Sequence, residues 1–417
     1  MHARSTGHTE RSPGTERLWT DRRWLLYTLA AAASRLPATM LPLGLVLAGH
    51  SATGSFMAGS VLAGAYAAAA ALTAPWRGRR LDRTTLPEGL TLPLVSGALL
   101  LAGLTVGLAT QVPVALLTVL AAAAAVAMSG VPGGMRSLLP VLWGERTSTR
   151  AFAGDSAITE ITWVAGPALT AALAAGLGTT APIACAALFW AVASLLVRRI
   201  PGRRTPETAP ELRQGTGRLL RALLPLLVLN LSVGVNLGTL DVSLPALLHS
   251  RGTAPAGSGL LIAALSLTSA ATVLLLTAPV AERFLAQDAD ARRSVVCHAC
   301  YGLAFLALVA LPPYAGVLTL VMVAGCFLGP AISFTFALVP RLVPSGRHSE
   351  AFALFMSTNA VGTALGALTA GLLVEHLSVP AALLAAALPL PAALAAGLAL
   401  RRRRGRERSR PAGDLPG

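Results

Sequence analysis

The chain has 417 residues, 54% of them hydrophobic and only 12% charged, with a mean hydropathy of +0.66. That is more apolar material than one water-soluble core buries, so a soluble enzyme or binding domain is excluded in favour of a membrane-embedded chain. A formal net charge of +15 raises the question of nucleic acid, but all 33 basic residues are arginines parted into clusters by long apolar runs, whereas a nucleic-acid domain gathers them on one folded face.

Residues 1–23 are polar and carry five arginines with no apolar run, which reads as a disordered cytoplasmic tail and not as a signal peptide. The first apolar span, Trp24 to Ala48, is longer at ~1.5 Å per residue than the ~30 Å hydrocarbon core requires. Five more follow in the first half: Ala52–Ala74, Gly89–Ala109, Val114–Val131, Ala157–Leu177 and Pro182–Val197. The second half supplies Leu223–Leu248, Gly257–Val280, Val295–Leu311, Tyr314–Val339, Ala351–Leu373 and Val379–Leu400. The expected class is an all-α membrane protein of 12 transmembrane helices in two pseudo-symmetric six-helix bundles, residues 24–199 and 222–400. A basic cytoplasmic linker, 200–221, joins them, and a basic cytoplasmic tail, 401–417, ends the chain.

The halves are copies of one plan. At an offset of 200, Leu138, Pro140, Leu142, Ala151, Phe152, Ala153 and Gly166 return as Leu338, Pro340, Leu342, Ala351, Phe352, Ala353 and Gly366. Nearly in phase, Leu72-Thr73-Ala74-Pro75 returns as Leu276-Thr277-Ala278-Pro279, and Leu41-Pro42 as Leu244-Pro245.

Arginines crowd the even-numbered loops and both tails, while the odd-numbered loops hold only Arg251. By the positive-inside rule both termini are expected to be cytoplasmic, in the cell membrane, and the run Arg401 to Arg404 is expected either to touch anionic lipid headgroups or to serve as a simple topology anchor. The four cysteines lie in or beside spans, and Cys297-His298-Ala299-Cys300 has no second ligand pair, so no metal or other cofactor is expected. A chain without lysine cannot contain the GxxxxGK[ST] loop of an ATP-driven pump.

The loop Gly78-Arg79-Arg80-Leu81-Asp82-Arg83 between spans 2 and 3 resembles the signature of the major facilitator superfamily, with Gly78, Asp82 and Arg83 matching. Arg136-x-x-x-Pro140, then Ala151-Phe152-Ala153-Gly154-Asp155-Ser156 and Glu160 ahead of Gly166-Pro167, is similar to actinobacterial drug-efflux-like members. The resemblance implies alternating access, a central cavity lined by helices 1 and 7, a cytoplasmic gate at Gly78, Asp82 and Arg83, and monomeric function. It further implies a proton-coupled antiporter that exports a drug-like or natural-product small molecule. Uptake of an organic anion, favoured by Arg35, and a non-transporting scaffold on the same fold are the alternatives.

An ionisable residue at membrane depth costs roughly 2.5–3.5 kcal/mol, which makes it a functional candidate. Arg35, Glu160 and Asp241 are the three. Aligning Pro42 with Pro245 sets Asp241 opposite Ala38, nearly one turn from Arg35, so the two are expected to face each other or a shared cavity. Arg35 would then bind an anionic group or hold the carboxylate, with Asp241 as the proton or cation site. The bland alternative is a salt bridge from Arg35 to Glu160 or Asp241 that locks helices. Glu160 is also placed as a supporting residue, with hydrogen-bond partners available at Ser156, Thr159 and Asn359. Asn230 and Asn236 are candidate polar contacts or interhelical glue, and Phe327 and Phe334 share a face that either stacks on an apolar substrate or packs in the core. Gly329-Pro330 is expected to kink its helix. Gly166, Pro167, Gly362 and Gly366 are packing positions, the last two expected in a sliding contact with the other half.

Overall fold

The computed structural model describes residues 21–82, 88–201, 216–277, 290–310, 313–343 and 348–388, with the single positions 391 and 395. Among them the chain is helical, with no strand: in lipid a backbone must satisfy its own polar groups, and for an open chain the helix does so. The first half contains α1 (Arg22–Thr53), α2 (Phe56–Asp82), α3 (Glu88–Ala109), α4 (Val114–Met128), α5 (Val131–Leu177) and α6 (Ala181–Arg198). The second contains α7 (Thr216–Ser250), α8 (Ser258–Thr277), α9 (Asp290–Ala307), α10 (Tyr314–Leu342), α11 (His348–His376) and α12 (Val379–Ala387). Among the described residues 11 segments are long and apolar enough to cross a membrane, and α12 is described over 9 residues. The chain has the two six-helix halves expected of it.

Helix ends follow local chemistry. Asp21 caps α1 by accepting a hydrogen bond from the Arg23 backbone N–H at 2.9 Å, and Gly54, at φ 75°, ends it in the left-handed conformation that costs glycine nothing. Ser378 caps α12 through the Ala381 N–H. Pro42 in α1 and Pro245 in α7 sit inside the helices at duplicated positions. Glycine-proline at 329–330 does not break α10.

The largest departure from the sequence reading is α5. The stretch expected to be a cytoplasmic loop is helical, and α5 folds back between its two arms: Arg136 and Asp155 are in contact, although a straight helix would hold them ~28 Å apart. Likewise α2 runs through Gly78 to Asp82, so the expected gate loop begins as helix; Arg83 lies outside the described residues.

Trp190 of α6 anchors the first half. It is fully buried, donates its indole N–H to the Ser34 carbonyl of α1 at 3.1 Å, and fills the space that a side chain at Gly97 of α3 would need. The second half is held by backbone-to-backbone contact between α7 and α11. A Cβ on Gly234 or Gly238 would strike carbonyl oxygens of Asn359 or Thr363, and one on Gly362 or Gly366 would strike those of Leu231 or Val235. The glycine pair of α11 therefore packs within its own half and does not slide against the other.

The opposite side of α11 meets the first half, because Leu368 and Gly371 lie about 180–240° round the helix from Gly362. Leu368 covers Gly64 of α2, and Gly371 abuts Ser60. Across from them the Pro167 carbonyl of α5 abuts Gly259 of α8. These contacts between halves lie toward the end of the molecule opposite the arginine clusters. Replacing Gly371 with leucine is expected to wedge α2 from α11 and raise the reactivity of an introduced cysteine at Ser60 toward membrane-impermeant reagents. Unchanged labelling would show that the contact does not close that end.

Candidate functional site

Tyr27, Arg35, Arg136 and Asp155 converge where α1 crosses α5. Asp155 is fully buried, and one of its oxygens takes both the Tyr27 hydroxyl, donating at 2.6 Å, and the Arg35 Nη2, at 2.6 Å. The other oxygen takes Arg136 Nε at 2.8 Å. Arg35 Nη1 donates to the Asp155 carbonyl at 3.2 Å and to the Thr159 hydroxyl at 3.0 Å. Trp24, Tyr27 and Trp143 pack ring to ring over the arginine-rich end of the cluster, with centroids 5.5 to 6.0 Å apart. The Asp155 carboxylate neutralises an arginine that lipid would otherwise penalise.

Arg35 therefore pairs with Asp155, and among the described residues it makes no ion pair with Asp241 or Glu160. This partner belongs to the Ala151–Ser156 motif, ahead of the span expected at Ala157–Leu177. The signal was present: Asp155 stands one turn before Thr159 in a stretch that the duplication pairs with the helical Phe355.

The duplication makes the second half a natural control. At the same offsets Tyr27 becomes Asn230, Arg35 becomes Gly238, Arg136 becomes Phe336, Asp155 becomes Phe355 and Thr159 becomes Asn359. The contacts are kept and their chemistry is exchanged. Asn230 Nδ2 donates to the Phe355 carbonyl at 2.6 Å, Asn359 reaches Asn230 at 3.4 Å, and the Arg136–Asp155 ion pair is replaced by a Phe336–Phe355 edge-to-face pair at 4.6 Å. One scaffold thus carries a charged lock in the first half and an uncharged one in the second.

Asp241 lies one turn beyond Gly238 on α7, half-buried, and no described residue gives its carboxylate a hydrogen bond or an ion pair. On the same helix Asn236 donates to the Ser232 carbonyl at 2.9 Å while its Oδ1, and the hydroxyl of Ser243, are buried with no partner among the described residues. Glu160 is exposed on α5, and two of its three expected partners are engaged elsewhere: Thr159 with Arg35, Asn359 with Asn230. Glu160 is rotated about 100° round the helix from Thr159, off the face that meets α1.

Three solved structures are similar over nearly the whole chain. The nucleoside transporter NupG aligns with 13% identity over 91% of this chain and 99% of its own, at a TM-score of 0.72. The POT family transporter PepTSo aligns with 11% identity over 93% and 99%, at 0.73. A bacterial homologue of the human lysosomal transporter Spinster, in an inward-facing and occupied conformation, aligns with 12% identity over 93% and 98%, at 0.72. Residues 226–416 match the family model described as Major Facilitator Superfamily. The chain has the major facilitator fold. No curated protein matches it in sequence.

Within this major facilitator fold the remaining candidates separate. Phe327 is half-buried against the core, whereas Phe334, also half-buried, lies outside that packing and shares α10 with Phe336. Gly166 accommodates Thr39 of α1, which donates to the Thr162 carbonyl at 2.8 Å, and Pro167 turns its carbonyl to Gly259 of the other half. At the arginine-rich end, Arg77 Nη2 donates to the Ala127 carbonyl at 2.9 Å, and the Arg77 and Arg80 guanidiniums lie 6.0 and 5.7 Å from the Trp76 ring centroid.

Proposed function

We propose that the chain is a secondary active transporter of the major facilitator superfamily that exports a cationic or neutral drug-like or natural-product compound in exchange for protons, with Asp241 as the coupling carboxylate. The observation that carries this reading is the division of the three intramembrane charges. Arg35 is consumed by Asp155, whereas Asp241 stands half-buried on α7 without an ion pair or hydrogen bond among the described residues. An unpaired carboxylate in a central helix is suited to exchange a proton for a cation. The organic-anion alternative loses its support, since the arginine that motivated it already holds a carboxylate.

The arginine distribution supports a cytoplasmic location for the arginine-rich end and for both termini, in the cell membrane. The contacts between halves gather at the other end, which corresponds to a state open toward the cytoplasm. Glu160 sits on the cytoplasmic part of α5 as a second acidic candidate, and Gly78, Asp82 and Arg83 are proposed as the cytoplasmic gate.

The test is proton flux in proteoliposomes with a lumenal pH dye, challenged with lipophilic cations, neutral drugs and organic acids. Flux driven by cations or neutral compounds and lost in Asp241→Asn is the expected result. Flux driven only by organic acids would overturn the export reading, and full flux in the Asp241 variant would overturn its coupling role and direct attention to Glu160.

A further inference from the structure

At the end opposite the arginine clusters the two halves meet through three rings. His50, in the last turn of α1, lies flat on Phe56 of α2, with centroids 3.8 Å apart and planes 10° from parallel. His249, in the last turn of α7, meets the His50 ring edge-on at 4.8 Å and the Phe56 ring at 5.8 Å. His50 and Phe56 belong to the first half and His249 to the second. A cavity of ≈ 400 Å³ opens beside them, lined by Phe56, His249, Ser250, Val374, Val379 and Pro380. The His50 Nδ1 is buried and has no hydrogen-bond partner among the described residues.

We propose that His50 and His249 form a proton-operated seal of the outer mouth, closed while both imidazoles are neutral and opened when protons from outside charge them. The proposal rests on the exporter reading for which side is outside, and it supplies that reading with its proton entrance. Neutral, His50 stacks on Phe56 and His249 meets both rings edge-on, as ordinary aromatic rings do. Two imidazoliums in the same contact repel each other, and the apolar lining of Val374, Val379 and Pro380 leaves that repulsion weakly screened. The groups facing His50 are His249 from α7 and Glu375 from α11, the latter within electrostatic reach; α2 and α12 present Phe56, Val379 and Pro380, none of which titrates. A single negative charge at Glu375 offsets one imidazolium and not two.

The position suits the task. Imidazole is the side chain that changes charge between about pH 5 and 8. Asp241 lies two turns below His249 on α7, ~12 Å along the helix, so a mouth opened by protons exposes the coupling carboxylate to the same protons. A closed seal at neutral external pH keeps it from them.

The experiment uses the full chain in lipid nanodiscs, with the four native cysteines replaced by serine and spin labels at Ser51→Cys in the first half and Ala254→Cys in the second. Distance distributions are measured by pulsed electron resonance from pH 8 to pH 5. One short distance at pH 8, giving way to a longer population with a midpoint within that range, is the expected result, together with a pH-independent short distance in the His50→Gln/His249→Gln double variant. No change of distance with pH in the unsubstituted chain, or an undiminished change in the double variant, would overturn the seal. The Asp241→Asn variant separates this proposal from the transport reading: it should keep the pH-dependent distance while losing proton exchange. A distance response that vanishes with Asp241→Asn would place the switch at Asp241 and sink the histidine seal. Intact distance changes with no exchange for any compound would sink the exporter and leave the seal standing.

Discussion

Asp155→Leu is expected to be among the most destabilising single substitutions in the first half, lowering the thermal midpoint of the purified protein by many degrees or leaving little that folds. The carboxylate of Asp155 holds Tyr27, Arg35 and Arg136 together, and breaking a buried ion pair by removing one partner costs about 3–5 kcal/mol. The two arginines do not share that cost equally. The Arg136 side chain is 50% exposed and can turn to water, whereas that of Arg35 is 7% exposed and cannot. Adding Arg35→Met to Asp155→Leu should therefore recover most of the lost stability, while adding Arg136→Gln should recover little. Size-exclusion profiles and thermal unfolding of the three variants in one detergent decide it. Equal rescue by both second substitutions would show that the cost is spread over the cluster and not concentrated at Arg35. The second half already demonstrates that the scaffold stands without charge, since Gly238, Phe336 and Phe355 fill the equivalent positions and Phe336 meets Phe355 edge to face.

The second large effect is expected from Gly366→Leu. At this position α11 lies against the α7 backbone so closely that any Cβ strikes the Val235 carbonyl oxygen, and Thr239 donates a hydrogen bond to the Gly366 carbonyl at 3.4 Å. Overpacking of ordinary cores costs about 1–3 kcal/mol because side chains yield. Here the neighbour is backbone, which does not. The expected outcome is loss of monodisperse protein, with Gly238→Leu behaving alike because it strikes the Thr363 carbonyl from the other helix. Gly103→Leu, where nothing lies within 4 Å, is the control and should purify normally. A well-behaved Gly366→Leu protein would mean that the two helices separate without cost.

Much of this was open to reading in the primary structure, for identifiable reasons. Span number and the sidedness of the arginines follow from one-dimensional patterns, because a bilayer sorts residues along its normal and the chain crosses that axis span by span. The duplication is equally linear: Leu138, Pro140, Ala151 and Gly166 return at one offset, and the same offset pairs Arg136 with Phe336 and Asp155 with Phe355. That Arg35 and Asp241 lie within long apolar helices was legible for the same reason. Partnership was not. Arg35 meets a residue 120 positions away, and it reaches that residue instead of Asp241 because α5 folds back and carries Asp155 into the membrane-embedded end of the α1 crossing. Read linearly, Asp155 looks like one more solvated charge in an arginine-rich loop. Facing was not legible either: Gly362 and Gly366 look fit for either half, and only the rotation of α11, with Gly371 turned to Ser60, assigns them to α7. Composition and periodicity determined what each helix is and how deep its charges lie, since those depend on transfer from water to lipid. Which charge neutralises which, and which stays unpaired, depends on rotation and crossing between helices remote in sequence, and only the tertiary structure decided it.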